Sequence, residues 1–194
     1  YKKYLKNNVL ATSNLIKMMK KFKVKNIIYA STASIYKFKN GKLTEKDKIK
    51  PISKYAKSKY LTEKIISNEK KLNSIIFRFF NVSGSLLKIG EKHKPETHLI
   101  PRLTTSALKN ENFNIYSNKY NTKDGTCIRD YIHVKDLCGA IEKGLIYLKK
   151  KNKSLVLNMG NSKGISVLEV VKSLEKIINK KIKIKYKEKR KGDQ

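Results

Sequence analysis

A tyrosine and a lysine four residues apart, Tyr55 and Lys59, are the residues of this chain best suited to proton transfer. On a helix such residues share one face, with Cβ atoms about 5–6 Å apart. A phenol has a reference pKa of about 10, so it is a base near neutral pH only when a nearby cation stabilises the phenolate. Lys59 could supply that cation. The pair alone is a weak signal, because a chain with 46 Lys and Arg residues contains many such pairs by chance.

A third candidate, Thr32, lies among small residues that follow a short apolar run from Val24 to Ala30. The apolar run predicts a strand, and the small residues predict the loop after it. A hydroxyl, a phenol and an ammonium group at the end of a strand would together form a proton relay. We therefore take Thr32, Tyr55 and Lys59 as the candidate catalytic residues.

The elements that would position these side chains alternate between helices and apolar strands. Apolar residues recur at helical spacing from Leu5 to Met19, and Ser53 is a candidate N-cap for a second helix. A second strand is predicted at 74–80, where the sequence reads SIIFRFF. This order predicts an α/β fold with a parallel sheet covered by helices and with ligands beyond the carboxyl ends of the strands.

The net charge of +31 raises the hypothesis of a nucleic-acid-binding protein, because clustered basic residues neutralise phosphates. The charge is almost entirely lysine scattered along predicted helix faces, whereas base recognition favours arginine. We interpret the charge as a general compositional bias and expect no nucleic-acid partner.

Neither the cysteines nor the hydrophobic pattern indicates a disulfide, a metal site or a membrane span. Cys127 and Cys138 form no CxxC pair and have no neighbouring group of His ligands, so we predict no disulfide and no metal site. No stretch approaches the roughly 20 apolar residues of a membrane span. The chain is expected to be soluble and cytoplasmic, without a membrane partner.

Six segments together carry a resemblance to a known family. Three short ones occur in the order and spacing of extended short-chain dehydrogenases/reductases: STASIY at 31–36, YAKSK at 55–59 and RFFNV at 78–82. Three others are more specific: GEKHKPETHLIP at 90–101, DGTCIRDYIHV at 124–134 and RKGD at 190–193. With them, the chain resembles the UDP-sugar 4-epimerases of that family from its first residue to its last.

The resemblance implies a catalytic role and a nicotinamide cofactor for the residues already singled out. Tyr55 would be the catalytic base, Lys59 its electrostatic partner and a ribose contact, and Thr32 the hydroxyl that hydrogen-bonds the 4-oxygen of the sugar. The cofactor would be NAD. Its expected contacts are Asn7, Thr32, Tyr55, Lys59 and Phe80.

The resemblance also implies a set of residues that hold a UDP-sugar. An arginine suits a diphosphate, a carboxylate suits a ribose hydroxyl, and an aromatic face suits uracil. Arg129 and Arg190 would take the first role, Asp193 the second and Tyr116 the third. The full expected set is Asn81, His98, Leu99, Tyr116, Arg129, Arg190 and Asp193.

The implied fold is the C-terminal half of a Rossmann-type parallel sheet with a small α+β substrate-binding lobe. We expect residues 1–81 and 126–158 in the NAD-binding domain and residues 82–125 and 159–194 in the lobe. The Gly-rich turn that holds a dinucleotide pyrophosphate is absent, so we expect the chain to lack the first part of that domain and to be inactive alone.

The implied activity is the NAD-dependent interconversion of UDP-glucose and UDP-galactose through a 4-keto intermediate, in a homodimer. Three alternatives remain open. The sugar could be N-acetylated or a pentose. A related 4,6-dehydratase would carry Asp-Glu where this chain has Thr32-Ala33. The third alternative is a non-catalytic protein that keeps the fold and binds a nucleotide.

Overall fold

The computed structural model describes residues 1–87 and 89–189 and divides the chain into two compact units. The first unit contains residues Tyr1–Phe80 and Lys135–Gly160, and the second contains Asn81–Val134 and the residues from Asn161 onward. No helix in the described ranges is long and apolar enough to cross a membrane.

The helices and strands have the following bounds. The strands are β1 (Asn26–Thr32), β2 (Asn73–Phe79), β3 (Asn81–Ser83), β4 (Phe113–Tyr116), β5 (Ile128–His133), β6 (Leu155–Met159), β7 (Gly164–Ser166) and β8 (Ile184–Lys187). The α-helices are α1 (Lys2–Tyr4), α2 (Ala11–Lys21), α3 (Lys54–Ser67), α4 (Leu99–Leu108), α5 (Val134–Lys151) and α6 (Val167–Ile178). A π-helical stretch, Leu5–Leu10, joins α1 to α2, and a 3₁₀ turn, Ala33–Ile35, follows β1.

The first unit contains a parallel sheet in the order β1-β2-β6 with helices on both faces. Alternate residues of β2 face opposite sides, as the two-residue repeat of a strand requires. Ile76 packs with Ile16 of α2 and Ile66 of α3, whereas Ile75 and Phe77 pack with residues of α5 such as Leu148. This arrangement confirms the predicted α/β fold with a Rossmann-type parallel sheet.

Close packing of α5 on β2 depends on a glycine. A Cβ atom built on Gly144 would lie 3.2 Å from Ile75 Cδ1, 3.2 Å from Phe77 Cζ and 3.3 Å from Ile28 Cδ1. A larger residue at this position would push the helix away from the sheet, because packed interiors have little space to yield.

The first strand is displaced from its predicted position by two residues. The sequence predicted a strand at 24–30, but β1 ends at Thr32, because its ladder with β2 continues to the pair Thr32↔Phe79. Thr32 is therefore the last residue of a strand rather than part of the following loop. Its backbone position is fixed by the sheet.

The connection from β1 to α3 is closed at its base. The Lys37 N–H donates to the Lys48 carbonyl at 2.7 Å, and the Lys50 N–H donates to the Ile35 carbonyl at 2.9 Å. Tyr36 and Ile49 form an antiparallel bridge between these two contacts. The tip of the loop, residues 38–42, is exposed.

The second unit contains two small sheets. One has the order β3-β5-β7, in which β5 pairs in parallel with β3 and in an antiparallel manner with β7. The other pairs β4 with β8 in parallel. The strand pairing groups β5 with this unit, and the expected bounds of the NAD-binding domain, which include residues 126–158, remain a prediction.

Helices α4 and α6 cover the core of the second unit. Its fully buried members come from α4, β4, α6 and the segment before β8: Leu103, Phe113, Ile115, Val171 and Ile182. Helix α6 begins with a capping box, in which the Ser166 hydroxyl accepts from the Glu169 N–H and the Glu169 carboxylate accepts from the Ser166 N–H. This pattern satisfies two N–H groups that the helix itself leaves unpaired.

A buried ion pair joins α3 to β2 in the first unit. Arg78 Nε and Nη2 donate to the two carboxylate oxygens of Glu63 at 3.1 and 2.8 Å. The side chains of both residues are almost fully buried, with 6% and 4% of their surface exposed. A bidentate contact of this kind fixes two planar groups in one relative orientation.

The same guanidinium group extends this contact to two other segments. Arg78 Nη1 donates to the Tyr36 hydroxyl at 2.8 Å, and that hydroxyl donates to Asn158 Oδ1 at 2.7 Å. The Asn158 N–H donates to the Glu45 carboxylate at 2.7 Å. Arg78 therefore connects α3, the turn after β1, the loop before α3 and the end of β6.

We predict that Glu63→Gln destabilises the first unit strongly. The substitution keeps the size of the side chain but leaves the buried Arg78 charge without its counter-ion, a change that costs about 3–5 kcal/mol. Chemical denaturation measures the change in the free energy of unfolding. The matched control is Glu69→Gln, which removes a more exposed ion pair with Lys20 and should cost less than about 1 kcal/mol. Similar losses for the two variants would contradict the prediction.

Candidate functional site

Tyr55 and Lys59 lie in the first two turns of α3, as the sequence predicted. The Ser53 hydroxyl accepts from the Ala56 N–H at 3.0 Å and caps the helix at its first turn. Thr32 lies at the carboxyl end of β1. The three candidate catalytic residues therefore come from two adjacent elements of the first unit.

Thr32 and Tyr55 are close enough for their side chains to interact. Burial raises the pKa of Tyr55, and the neighbouring Thr32 hydroxyl opposes that rise. The Thr32 and Ser34 hydroxyls are 2.9 Å apart, and the Ser34 N–H donates to Thr32 Oγ1 at 3.2 Å. The exposed Ser34 hydroxyl is thus paired with that of Thr32 at the end of β1. Sequence reasoning did not identify Ser34, although its spacing of two residues from Thr32 is the spacing of a hydroxyl turn.

The Lys59 ammonium group is held beside Tyr55 by the backbone. Lys59 Nζ donates to the Ala30 carbonyl at 2.8 Å, near the end of β1. Nζ lies 5.9 Å from the centroid of the Tyr55 ring and 5.0 Å from that of Tyr29. Burial lowers the pKa of Lys59, because desolvation disfavours the charged amine.

The phenols on either side of Lys59 have different environments. Burial raises the pKa of Tyr29 to about 12. The pKa of Tyr55 is also raised by burial, but the hydrogen bond from Thr32 opposes this rise, and 37% of the residue surface is exposed. Tyr4, whose ring centroid lies 5.7 Å from that of Tyr55, adds to the rise. The Tyr29 hydroxyl is buried, whereas Tyr55 is exposed enough to be reached by a ligand.

The expected cofactor contacts Asn7 and Phe80 lie in different surroundings. Asn7 is exposed in the π-helical stretch, whereas its neighbour Asn8 donates to the Ser58 hydroxyl of α3 at 2.9 Å. Phe80 is half-buried, and its N–H donates to the Met159 carbonyl at 3.0 Å. Phe79, in contrast, packs into the core beside Phe77. Thr32 is the last residue of β1 and Phe80 directly follows β2, so both lie at the same edge of the sheet.

The second unit contains five of the seven expected UDP-sugar contacts. The Asn81 amide donates to the Asp130 carbonyl at 3.0 Å. His98 is the N-cap residue of α4, and the Leu99 side chain packs against the core of this unit. Arg129 Nη1 donates to the Ile128 carbonyl at 3.2 Å.

Tyr116 ends β4 and lies beside a cation that the sequence analysis did not identify. The Arg102 guanidinium carbon of α4 is 5.7 Å from the centroid of the Tyr116 ring. Arg102 is half-buried, and an arginine beside an aromatic ring offers a charged and a flat surface together. The two remaining expected contacts, Arg190 and Asp193, lie outside the described residues.

Comparison with known proteins gives a consistent set of relatives. A model of the NAD dependent epimerase/dehydratase family matches residues 1–160. The chain is 36% identical over 194 residues to a UDP-glucose 4-epimerase of Rhizobium meliloti (strain 1021), covering 96% of this chain and 59% of that protein. The chain therefore spans about 60% of the length of the relatives it matches.

Solved structures with the same fold include liganded ones. A crystal structure of UDP-glucose 4-epimerase aligns with a TM-score of 0.92 at 39% identity, over 98% of this chain and 60% of the other. The enzyme from Bifidobacterium longum, in complex with NAD⁺ and UDP, aligns with a TM-score of 0.85 at 32% identity, over 98% of this chain and 59% of the other.

We predict that Thr32→Val raises the pKa of Tyr55 further. Valine keeps the shape of threonine but cannot donate to the phenolate, so the opposing effect of the hydrogen bond is lost. Titration of tyrosine ring carbons by NMR, assigned with Tyr55→Phe, measures the shift. The matched control is Thr44→Val, which removes a hydroxyl bonded to Asp47 and should leave the Tyr55 pKa unchanged. An unaltered Tyr55 titration in Thr32→Val would contradict the hydrogen-bond assignment.

Proposed function

Because the chain belongs to the NAD dependent epimerase/dehydratase family, we propose that it forms the catalytic part of an NAD-dependent UDP-glucose 4-epimerase. The reaction is the interconversion of UDP-glucose and UDP-galactose through a 4-keto intermediate. The observation that carries this proposal is the position of the Lys59 ammonium group, which donates to the Ala30 carbonyl at 2.8 Å and lies 5.9 Å from the centroid of the Tyr55 ring, near Thr32 at the end of β1.

The first unit supplies the groups for proton transfer at the sugar 4-hydroxyl. Tyr55 takes the proton, and Thr32 orients the 4-oxygen through its hydroxyl. The hydroxyl of Ser34, 2.9 Å from that of Thr32, extends the relay toward solvent. Lys59 stabilises the phenolate from its fixed position on the Ala30 carbonyl.

The raised pKa of Tyr55 indicates that this base requires a further group that stabilises the phenolate. Burial disfavours the phenolate, and the hydrogen bond from Thr32 offsets only part of that effect. A further positive charge near the ring would lower the pKa toward neutrality. Bound NAD⁺ would supply both a hydride acceptor and a positive charge.

The residues present fit such a cofactor. Thr32 and Phe80 follow the carboxyl ends of β1 and β2, the edge at which parallel α/β sheets bind nucleotides. Lys59 offers an ammonium group to a ribose hydroxyl, and Asn7 offers an exposed amide. These residues would bind and orient the nicotinamide half.

The second unit is proposed to hold the UDP-sugar. Tyr116 with Arg102 offers a surface for the uracil ring, and Arg129 offers a cation for the diphosphate. Asn81, His98 and Leu99 are the other described contacts, and Arg190 and Asp193 complete the proposed set.

We also propose a homodimer for the complete protein. Several apolar side chains at α2 are exposed: Leu15 and Met18 of the helix and Phe22 directly after it, with 51%, 49% and 68% of their surface accessible. Exposed apolar side chains grouped on one element favour association with another surface. Sedimentation or light scattering measures the oligomeric state.

A 4,6-dehydratase and a non-catalytic nucleotide-binding protein are less consistent with these residues. A dehydratase needs an acid and a base at the positions of Thr32 and Ala33, which carry neither. A binding protein has no need of a phenol, a hydroxyl and an ammonium group arranged for proton transfer. The choice among hexose, N-acetylated and pentose substrates depends on the size of the complete pocket.

We predict that Tyr55→Phe abolishes turnover while UDP binding persists. The change removes one oxygen and keeps the ring, so the rate should fall by about 10²–10⁴-fold or more, as is typical when a general base is lost. The assay measures the conversion of UDP-galactose by the complete protein that contains these residues. Calorimetry measures UDP binding. The control Tyr60→Phe removes a phenol from the same helix. Turnover near the parental value in Tyr55→Phe would exclude Tyr55 as the base.

We predict that Lys59→Met shifts the pH–rate profile to higher pH. Removal of the ammonium group disfavours the phenolate, so the pKa of Tyr55 rises and a larger fraction of the base is protonated at neutral pH. The control is Lys57→Met, a lysine of the same helix that is exposed. A rate that falls equally at every pH would mean that Lys59 acts only in binding.

A further inference from the structure

Four side chains of the loop before α4 converge on one point. The donor atoms of Glu91, His93, Glu96 and His98 all lie within 4.8 Å of one another. His93 Nδ1 is 3.0 Å from Glu91 Oε1 and 3.8 Å from Glu96 Oε2, and His98 Nδ1 also contacts Glu91 Oε1. The sequence analysis considered only the surroundings of the cysteines for metal binding.

The composition of this cluster is unusual for the chain. With 46 basic and 15 acidic residues, most surfaces carry excess positive charge, but this loop contributes two carboxylates and two of the three histidines. With neutral imidazoles, the four ligands carry two negative charges. Lys92 and Lys94 are exposed in the same loop and would reduce, but not cancel, the attraction for a divalent cation.

The backbone of the loop keeps one of the carboxylates ionised and in place. Glu96 Oε1 accepts from the N–H groups of Thr97 and His98, each at 2.8 Å, while Oε2 is the oxygen that faces His93. The N–H of His98 is the largest of the contributions that lower the pKa of Glu96. Oε2 also accepts from the His93 N–H at 3.4 Å, so both oxygens are held by the loop, and Oε2 is the one directed at the cluster.

We propose that Glu91, His93, Glu96 and His98 form a binding site for a single Zn²⁺ ion. Zinc accepts imidazole nitrogen and carboxylate oxygen in a tetrahedron with bonds of about 2.0–2.2 Å, which places ligand atoms about 3.3–3.5 Å apart. The four atoms lie within 4.8 Å of one another, so shifts of no more than about 1.5 Å, some together and some apart, would reach that spacing. Two imidazole ligands disfavour Mg²⁺ and Ca²⁺, which take oxygen ligands.

Binding would fasten the loop to the start of α4. His98 is the N-cap residue of that helix, while Glu91 lies seven residues earlier, so one ion would close the segment between them. The site shares His98 with the proposed UDP-sugar contacts, and its test uses no substrate. Without a metal, the same four residues would form a cluster of His–Glu contacts.

The test is calorimetric titration of the 194-residue chain with Zn²⁺ near neutral pH. We expect one ion to bind per chain. His93→Ala and Glu91→Gln should each weaken binding by at least the roughly 10–100-fold that loss of even an outer-shell partner causes. Mg²⁺ at the same concentrations should give no signal.

Two controls separate this site from other ligands. His133→Ala removes the remaining histidine and Cys138→Ser removes the exposed thiol, and both should bind Zn²⁺ as the parent does. Circular dichroism shows whether each variant is folded, and Glu91→Gln keeps the size of its side chain. Failure of the parent to bind one ion, or equal binding by the parent, His93→Ala and Glu91→Gln, would overturn the proposal.

Discussion

The buried pair of Arg78 and Glu63 is the contact on which the geometry of the first unit depends. Arg78 is the sixth residue of β2, and Glu63 lies one helical turn after Lys59 on the same face of α3. The bidentate contact therefore sets the rotation of α3 about its own axis relative to the sheet. That rotation decides whether Tyr55 and Lys59 face the end of β1.

The same guanidinium group also sets the position of the turn that follows Thr32, through the Tyr36 hydroxyl. A buried ion pair is a poor source of stability, since the cost of removing two charges from water can exceed their attraction. In this protein the ion pair matters because it fixes an orientation. Apolar contacts such as Ile76 with Ile66 hold α3 against the sheet without fixing its rotation. The apolar contacts thus keep the helix on the sheet, and the ion pair sets its rotation.

Sequence reasoning identified the elements whose signals are local. The apolar run of β2, the Ser53 cap and the pair of Tyr55 and Lys59 each need only a few neighbouring residues to be recognised. The end of β1 was misplaced because it depends on pairing with a strand 47 residues away in the chain. The rise in the Tyr55 pKa was also beyond the sequence, because burial by the folded chain causes it.

Contacts between residues distant in the chain could not be predicted from the sequence either. Nothing local indicates that Arg78 meets Glu63, that Asn8 rather than Asn7 bonds to α3, or that Arg102 lies beside Tyr116. The loop from Glu91 to His98 was only partly recognisable. Its His and Glu residues can be read from the sequence, but only the folded backbone shows that their side chains converge.

The closed base of the loop between β1 and α3 separates its tip from the residues it connects. Hydrogen bonds at Lys37 and Lys50 complete the base, and Glu45 joins the returning side to the network around Arg78. Changes in length near Asn40 and Gly41 would add only the small entropy of a longer loop. This tip is therefore a suitable place for attaching a fluorophore or an affinity tag.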